Sequence, residues 1–412
     1  MTHMTLRQLS LLALITLVGS SAQCADWPQF LGPQRNGQSA ETGLLKAWPQ
    51  GGVKEVWRVP GGVGMSAISI SQGKAYTLFQ DAAQQYLLAL DAKTGATLWK
   101  TPLAKAYKNQ QGDGPRASPT IVDQVAYAYT GEGVLAAVQA DSGKLLWSVN
   151  APRQLGGKPA DYGMASSPLA VGKCVVVHVG APRATVAAFA KSDGSLVWQA
   201  GSGAAGYASP TLLTFNQVAQ VVSFTGTAAY GIQPNSGKVL WQYPYVTEFN
   251  CNTASPINVD GQLFLSAGEN HGSVMLQVGA GKVSPVWETL GRRSVMRSEW
   301  QTAIHLNGYL YGFDNVGSAG PVSHLTCIDA KTGEQQWQEP RFGKGNLISA
   351  EGKLILVTTK GELAIAQASP QKYEELGRQT VCDFTRQAPS LAAGLLYLRD
   401  DKEIICLDLR AR

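Results

Sequence analysis

The chain has 412 residues, of which 44% are hydrophobic and only 15% are charged. This composition excludes an intrinsically disordered chain, and the 45 glycines favour a β-rich protein with many turns. The net charge of +5 is spread along the chain without a basic block, so a nucleic-acid partner is not expected.

The N-terminus has the layout of a secretory signal peptide. Arg7 gives a positive start, an apolar run covers Leu9–Gly19, and small residues follow it. The run is shorter than the ~20 apolar residues that a membrane span needs, and no later segment reads as transmembrane. Gln23 precedes Cys24, where a lipoprotein signal requires a small residue. We therefore predict a periplasmic or secreted protein without a lipid anchor.

A short phrase that ends in tryptophan recurs along the chain. It reads "ALDAKTGATLW" at Ala89–Trp99 and "CIDAKTGEQQW" at Cys327–Trp337, with three further copies between them. A glycine always stands four residues before the tryptophan, at Gly95, Gly143, Gly194, Gly237 and Gly333. Because glycine tolerates a positive φ, each phrase is predicted to be a β-hairpin with a bulge. The tryptophans are predicted to pack between neighbouring repeats, without a catalytic role.

Two further strand patterns precede each phrase, and Ser-Pro often marks the first of them. Four short strands in each ~45-residue repeat indicate the blade of a β-propeller. We predict an all-β, eight-bladed propeller of four-stranded antiparallel blades. Its first strands are expected to begin near Ser66, Ser118, Ser167, Ser209, Ser255, Thr302, Asn346 and Pro389.

The two ends of the repeat region are complementary. Val53–Val59 carries a tryptophan strand without preceding strands, whereas the last repeat, which ends "EIICLDLR", has no tryptophan strand. We predict that the N-terminal strand completes the last blade and closes the ring. The predicted organisation is a signal peptide at 1–24, a Pro/Gly-rich arm at 25–52 and the propeller at 53–412.

The phrase "DAKTGxxxW" at Asp91–Trp99 and Asp329–Trp337 resembles the repeat of the pyrroloquinoline-quinone (PQQ) type propeller superfamily. The resemblance covers nearly the whole mature chain. That superfamily includes PQQ-dependent alcohol dehydrogenases and a non-enzymatic periplasmic scaffold of the outer-membrane β-barrel assembly machinery. "DWPQFLGPQRNG" at Asp26–Gly37 resembles the start of exported PQQ-like repeat proteins, many of them from planctomycete-type bacteria.

Propeller ligands usually sit at one mouth of the central channel, where the first strand of each blade begins. The residues just before those strands therefore form the candidate site for a ligand or cofactor. Tryptophan and tyrosine there could stack on a planar ligand, and arginine could hold a carboxylate. The candidates are Arg116, Tyr207, Asn252, Glu299, Trp300 and Arg386, with Met65, Met164 and Asn346 beside them.

The resemblance to the dehydrogenases implies adjacent cysteines, a calcium ion and an aspartate base, and the sequence does not supply them. There is no Cys-Cys pair and no CxxCH haem motif. Asn252 and Glu299 fall short of the ~6–8 oxygen ligands of calcium. The five cysteines beyond Cys24 are scattered and are expected to be buried small hydrophobes.

The basic stretch that holds Arg292, Arg293 and Arg297 is either a solvated loop or a contact for an anion or partner.

We therefore expect a monomeric, non-catalytic binding or scaffold propeller of the cell envelope, with no cofactor. Its partners would be other envelope proteins or a small ligand at the channel mouth. Two alternatives stay open. One is an oxidoreductase that holds PQQ and calcium at the mouth, and the other is a carbohydrate-binding or carbohydrate-active propeller.

Overall fold

The computed structural model describes residues 26–317, 320 and 322–411. The described strands form eight sheets, each with four antiparallel strands arranged from an inner to an outer position, and one sheet has Gln38–Ser39 as an additional parallel strand. These sheets are the blades of an eight-bladed β-propeller, which confirms the predicted fold class. The predicted signal peptide and Cys24 lie outside the described residues.

Blades 1 to 4 follow one another along the chain, and their strands are given from the inner to the outer one. They are Ser69–Ser71, Lys74–Gln80, Gln84–Asp91 and Thr97–Lys105 in blade 1; Thr120–Val122, Val125–Tyr129, Val134–Gln139 and Leu145–Asn150 in blade 2; Leu169–Val171, Cys174–Ala181, Ala184–Ala190 and Leu196–Ala200 in blade 3; Thr211–Phe215, Val218–Phe224, Ala228–Ile232 and Val239–Pro244 in blade 4.

Blades 5 to 8 continue the pattern, and short helices lie between some blades. The strands are Ile257–Val259, Gln262–Ala267, Gly272–Val278 and Val283–Leu290 in blade 5; Ile304–Leu306, Tyr309–Val316, Val322–Asp329 and Gln335–Glu339 in blade 6; Gly345–Ala350, Lys353–Thr358, Glu362–Gln367 and Glu375–Thr380 in blade 7; Ser390–Ala392, Leu395–Arg399, Glu403–Asp408 and Lys54–Pro60 in blade 8. The helices are Ala151–Gln154, Glu248–Asn250 and Gly291–Arg293. Every inner strand begins within three residues of its predicted start.

Blade 8 combines the two ends of the described chain. Lys54–Pro60 pairs antiparallel with Glu403–Asp408, and Arg58 lies opposite Ile405. The Trp57 indole N–H then donates to the Ala92 carbonyl oxygen of blade 1 at 3.0 Å. The N-terminal strand therefore supplies both the outer strand of blade 8 and a contact from blade 8 to blade 1.

The repeated tryptophans dock onto the glycine turn of the next blade. The Trp147 indole Nε1–H donates to the Lys191 carbonyl oxygen at 2.9 Å. Its ring covers Gly194, where an added Cβ would lie 2.6 Å from the indole and φ is +74°. The glycine is therefore required both for the turn and for the close approach of the indole. The same two contacts recur at Trp57, Trp99, Trp198 and Trp287.

Trp337 donates to the Ser369 carbonyl oxygen of blade 7 at 2.7 Å, but the turn there contains no glycine. Trp241 departs further from the pattern. Its indole N–H donates to the Gln220 side chain of its own blade at 2.6 Å. The turn of blade 5 that faces it lies between Val278 and Val283 and lacks the repeated phrase. Trp241 is nevertheless buried in a cluster with Leu263 of blade 5, so the predicted packing between blades holds there as well.

The Ser-Pro positions form hydrogen bonds around the inner ring. The Ser118 hydroxyl accepts from the Ala67 N–H at 3.1 Å, and the Ser167 hydroxyl accepts from the Ser118 N–H at 2.9 Å. Ser209 continues the series by accepting from the Ser167 N–H at 2.9 Å. Each serine thus joins its blade to the preceding one, which gives the Ser-Pro signal a structural cause.

The N-terminal arm crosses the channel. Trp27 pairs with Ile70 of blade 1, and the Arg35 guanidinium donates to two carbonyl oxygens of blade 3. Gln38–Ser39 then forms a parallel pair with the inner strand of blade 7. Since blades 3 and 7 are on opposite sides of an eight-membered ring, the arm spans the channel and places Phe30 in its interior.

The hydrophobic core lies between blades. In one cluster, for example, Tyr129 of blade 2 packs with Val177 and Phe189 of blade 3. The predicted burial of cysteines is confirmed for Cys174, Cys327, Cys382 and Cys406, whereas Cys251 is half-buried. No helix within the described residues has the length and apolar character needed to cross a membrane.

Candidate functional site

A cavity of about 510 Å³ opens at the channel mouth. Its walls come from the loops that lead into the inner strands of several blades, and Phe30 of the arm also lines it. Five of the six predicted site residues line this one cavity, namely Arg116, Tyr207, Glu299, Trp300 and Arg386, as do the neighbouring candidates Met65 and Asn346.

Asn252 is the predicted site residue that the structure places elsewhere. Its side chain is fully buried, and its amide group donates to the Thr225 and Tyr245 carbonyl oxygens at 2.7 and 3.0 Å. It also accepts from the Thr247 hydroxyl. Asn252 therefore braces the loop between blades 4 and 5. Met164, predicted beside the site, is likewise buried and lies outside the cavity lining.

Arg116 is held in place by backbone carbonyl groups. Its guanidinium donates to the Tyr162 and Gly112 carbonyl oxygens at 2.5 and 2.6 Å, and also to that of Gly114. It stacks on the Tyr107 ring with 4.9 Å to the centroid. Burial lowers the pKa of Arg116 to about 10, so it remains charged at neutral pH. Arg116, a predicted carboxylate ligand, therefore also fixes the two loops that hold Gly112 and Tyr162.

Arg386, Lys344 and Glu299 surround Trp300. The Arg386 guanidinium lies 5.0 Å from the Trp300 ring centroid, and the Lys344 ammonium lies 4.6 Å from it. Lys344 also forms an ion pair with Glu299, with 2.7 Å between Nζ and Oε2. Burial raises the pKa of the Glu299 carboxyl group, and the Lys344 charge opposes that rise. The ion pair is largely shielded from solvent, because the Glu299 and Lys344 side chains are 7% and 14% exposed.

The Lys344–Glu299 pair predicts a pH-dependent stability change. Lys344→Met is expected to lower the free energy of unfolding by about 3 kcal/mol at pH 8, because it leaves a buried carboxylate without its cation. The folded-state pKa of Glu299 would rise further, so the loss shrinks as acid protonates Glu299. Urea unfolding at pH 8 and pH 5 measures both values.

A double variant separates charge from packing in that experiment. In a Glu299→Gln background, Lys344→Met should cost much less at pH 8, because no carboxylate remains to be stranded. An equal loss at both pH values in the single variant would mean that lost packing against Trp300 is the cause.

Aromatic side chains form another part of the cavity wall. Tyr162 and Tyr207 stack with their centroids 5.7 Å apart and a 27° angle between the rings. Phe249 also lines the cavity, is 53% exposed, and has a φ of +58°. A positive φ is unusual for an aromatic residue, and such backbone outliers concentrate at functional sites.

Sequence reasoning missed several cavity residues. Lys344 stands two residues before the candidate Asn346, so a wider window before each inner strand would have found it. Tyr162 could have been found in the same way, because it precedes Met164. Phe30 had no such signal, because the crossing of the arm depends on contacts distant in sequence.

Other chemical candidates lie away from the cavity. Arg297 is buried and binds Asp314 with two nitrogens, at 2.7 and 2.6 Å. That excludes Arg297 from a contact with an external anion. Burial lowers the pKa of His178 to about 3, so this strand histidine is a neutral core residue.

Within the cavity, burial raises the pKa of the Cys251 thiol to about 12, which keeps it protonated and a poor nucleophile.

Residues 83–339 match the family model described as outer membrane protein assembly factor BamB. The chain belongs to the BamB family. A curated relative of that name from Salmonella typhimurium is 35% identical over 113 residues. The match covers 26% of this chain and 26% of the relative, so this chain spans about a quarter of that protein's length.

Solved structures share the fold of this BamB-family chain at low sequence identity. BamB from Moraxella catarrhalis is 14% identical with a TM-score of 0.61, and the match covers 86% of this chain and 99% of that one. A europium-containing methanol dehydrogenase is 13% identical with a TM-score of 0.66, covering 92% and 89%. Because propellers of one architecture host different activities, these structural similarities show the fold of the chain and not its activity.

The cavity of this BamB-family chain does not fit a calcium-held quinone. The Glu299 carboxylate, one of the two side chains considered as calcium ligands, is already paired with the Lys344 ammonium at 2.7 Å. Asn252, the other side chain considered, is fully buried outside the cavity lining, and its amide oxygen accepts from the Thr247 hydroxyl. Across the part of the chain that the structure describes, no three His, Cys, Asp or Glu residues come together as a metal site.

Proposed function

We propose that the protein is an exported, non-catalytic β-propeller that acts as a binding or scaffold protein in the cell envelope and assists the assembly of outer-membrane proteins. The observation that carries this proposal is the match of residues 83–339 to the BamB family model. The mismatch between the cavity and a calcium-held quinone weighs against the oxidoreductase alternative.

The outer edges of neighbouring blades support a role in protein binding. Leu98, Leu146 and Val197 lie on the outer strands of blades 1, 2 and 3 and are 46%, 47% and 48% exposed. Each immediately precedes the buried or partly buried tryptophan of its strand. Exposed apolar side chains that recur on one edge favour contact with another protein. We propose this edge as the contact surface for an outer-membrane assembly protein.

A complementation experiment tests the proposal. Loss of the gene is expected to lower the amount of β-barrel proteins in the outer membrane several-fold, and the wild-type gene should restore it. The triple variant Leu98→Asp, Leu146→Asp, Val197→Asp should fold but fail to restore barrel levels. It should also lose co-purification with the barrel-assembly protein. Barrel levels that do not change when the gene is lost would refute the proposal.

The chain offers a matched control for added charge. Val218 is 51% exposed and lies at the start of the second strand of blade 4, away from the outer edges. Val218→Asp should restore barrel levels as the wild type does. If it fails equally, the triple variant acts through solubility or folding and not through a lost contact.

A further inference from the structure

Three serine hydroxyl groups face the mouth cavity with an unused hydrogen. Ser118, Ser167 and Ser209 all line it, and each is at most 3% exposed to solvent. Each hydroxyl oxygen accepts a backbone N–H from the preceding blade. None of the three donates a hydrogen bond to a described residue, so each keeps one O–H donor for a molecule in the cavity.

Within the described residues, neither of two guanidinium groups in the same cavity forms an ion pair with a carboxylate. Burial lowers the pKa of Arg386, and the charges of Asp401 and Glu299 oppose that lowering. Every hydrogen bond that Arg116 makes within the described residues goes to a carbonyl oxygen. Arg386 donates to the Gln111 carbonyl oxygen and to the Met65 sulfur. Both guanidinium groups therefore donate hydrogen bonds to the loop that holds Gln111 and Gly112. Their charges are close enough for Arg386 to lower the pKa of Arg116, after the larger effect of burial.

The charge of the cavity is positive on balance. Three cationic side chains line it, namely Arg116, Lys344 and Arg386, against the two carboxylates Glu269 and Glu299, and Lys344 is paired with Glu299. Hydroxyl donors and two partly dehydrated guanidinium groups together favour an anion. Charge-assisted hydrogen bonds to a carboxylate are about twice as strong as neutral ones.

The aromatic and alanine side chains of the cavity wall favour a ligand with a flat, apolar ring. Phe30, Tyr162, Tyr207 and Trp300 line the cavity together with alanine side chains. A volume of about 510 Å³ is within the usual range for small-molecule sites. The arm crosses the channel and places Phe30 in the cavity wall, so we expect a ligand to enter and leave through the mouth.

From this arrangement we propose that the mouth cavity is a metal-independent binding site for a small carboxylate that carries a flat ring. The carboxylate would lie between the Arg116 and Arg386 guanidinium groups and the serine hydroxyls, and the ring against the aromatic wall. This site is separate from the outer edges proposed above for a protein partner, so either proposal can fail without the other.

Calorimetric titration with 2-naphthoate in the presence of a chelator tests the site. We expect saturable 1:1 binding, at least about tenfold weaker binding of the neutral 2-naphthalenemethanol, and no detectable binding of acetate at equal concentration. Equal binding of the acid and the alcohol would overturn the proposal, because it would indicate a merely apolar pocket. Absence of 2-naphthoate binding would also overturn it.

Two cavity variants and one control test whether 2-naphthoate binds in the mouth cavity. Arg386→Gln should weaken 2-naphthoate binding at least about tenfold, since it removes one guanidinium charge. Ala165→Leu should abolish binding by filling the cavity; Ala165 lines the cavity and is half-buried, so no hydrogen bond is lost and folding should persist. Arg292→Gln, on the short helix Gly291–Arg293, is the matched control and should bind as the wild type does. Undiminished binding by both cavity variants would overturn the assignment.

Discussion

Deletion of Lys54–Arg58 is expected to make the protein aggregate and to abolish its cooperative unfolding transition. The deletion would leave the outer edge of Glu403–Asp408 without its antiparallel partner. Unpaired strand edges template association with other chains. It would also remove Trp57 and its hydrogen bond to the Ala92 carbonyl oxygen, which joins blade 8 to blade 1. Light scattering during gel filtration and calorimetry would measure the two effects.

A side-chain variant in the same strand separates backbone pairing from surface charge. Arg58 forms ion pairs with Glu55 and Glu403 at 2.7 Å, and all three side chains are about a third exposed or more. Arg58→Gln should therefore lower the free energy of unfolding by at most about 1 kcal/mol and leave the oligomeric state of the wild type unchanged. If the deletion variant keeps the oligomeric state and the melting temperature of the wild type, the ring does not need the N-terminal strand for closure.

The repeat made most of the fold predictable from the sequence. The hairpin that ends in Trp147 and the inner strand after Ser167 follow from local rules, because turn glycine, alternating apolar residues and Ser-Pro act within a few residues. Their common period of ~45 residues then fixes the blade. The pairing of Lys54–Pro60 with Glu403–Asp408 was predictable for a similar reason, since each end lacks the strand that the other supplies.

The candidate site was only partly predictable, because position before an inner strand does not determine where a side chain points. Arg386 and Trp300 project into the cavity as that rule predicts. Asn252 turns away, since its amide group donates to the Thr225 carbonyl oxygen in a turn of blade 4 and to the Tyr245 carbonyl oxygen just after that blade. Phe30 enters from an arm whose contacts lie far along the chain. The rule also could not show that Arg116 is committed to three carbonyl oxygens.

The tryptophans of the repeat are expected to carry large shares of the stability, in contrast to Trp300. Trp147→Ala or Trp198→Ala should each lower the free energy of unfolding by about 3–5 kcal/mol, the usual loss for a buried large aromatic residue. Their exposed fractions are 9% and 6%. Leu146→Ala, at the adjacent exposed position, should change it by about 0.5 kcal/mol or less. Trp300→Ala should lose mainly its contacts with Lys344 and Arg386, worth about 1 kcal/mol each at most.

A double-mutant cycle tests whether the stability arises from docking between blades. Gly194→Ala alone should be strongly destabilising, because its Cβ would lie 2.6 Å from the Trp147 ring and φ is +74°. In the Trp147→Ala background the clash is gone, so Gly194→Ala should cost only the backbone strain of about 1–2 kcal/mol. The two substitutions should therefore be coupled, as expected for residues in contact. Additive losses in urea unfolding would show that Trp147 stabilises its own blade and not the junction with blade 3. A Trp300→Ala loss as large as that of Trp147→Ala would place Trp300 in the core and remove it from the ligand-binding wall.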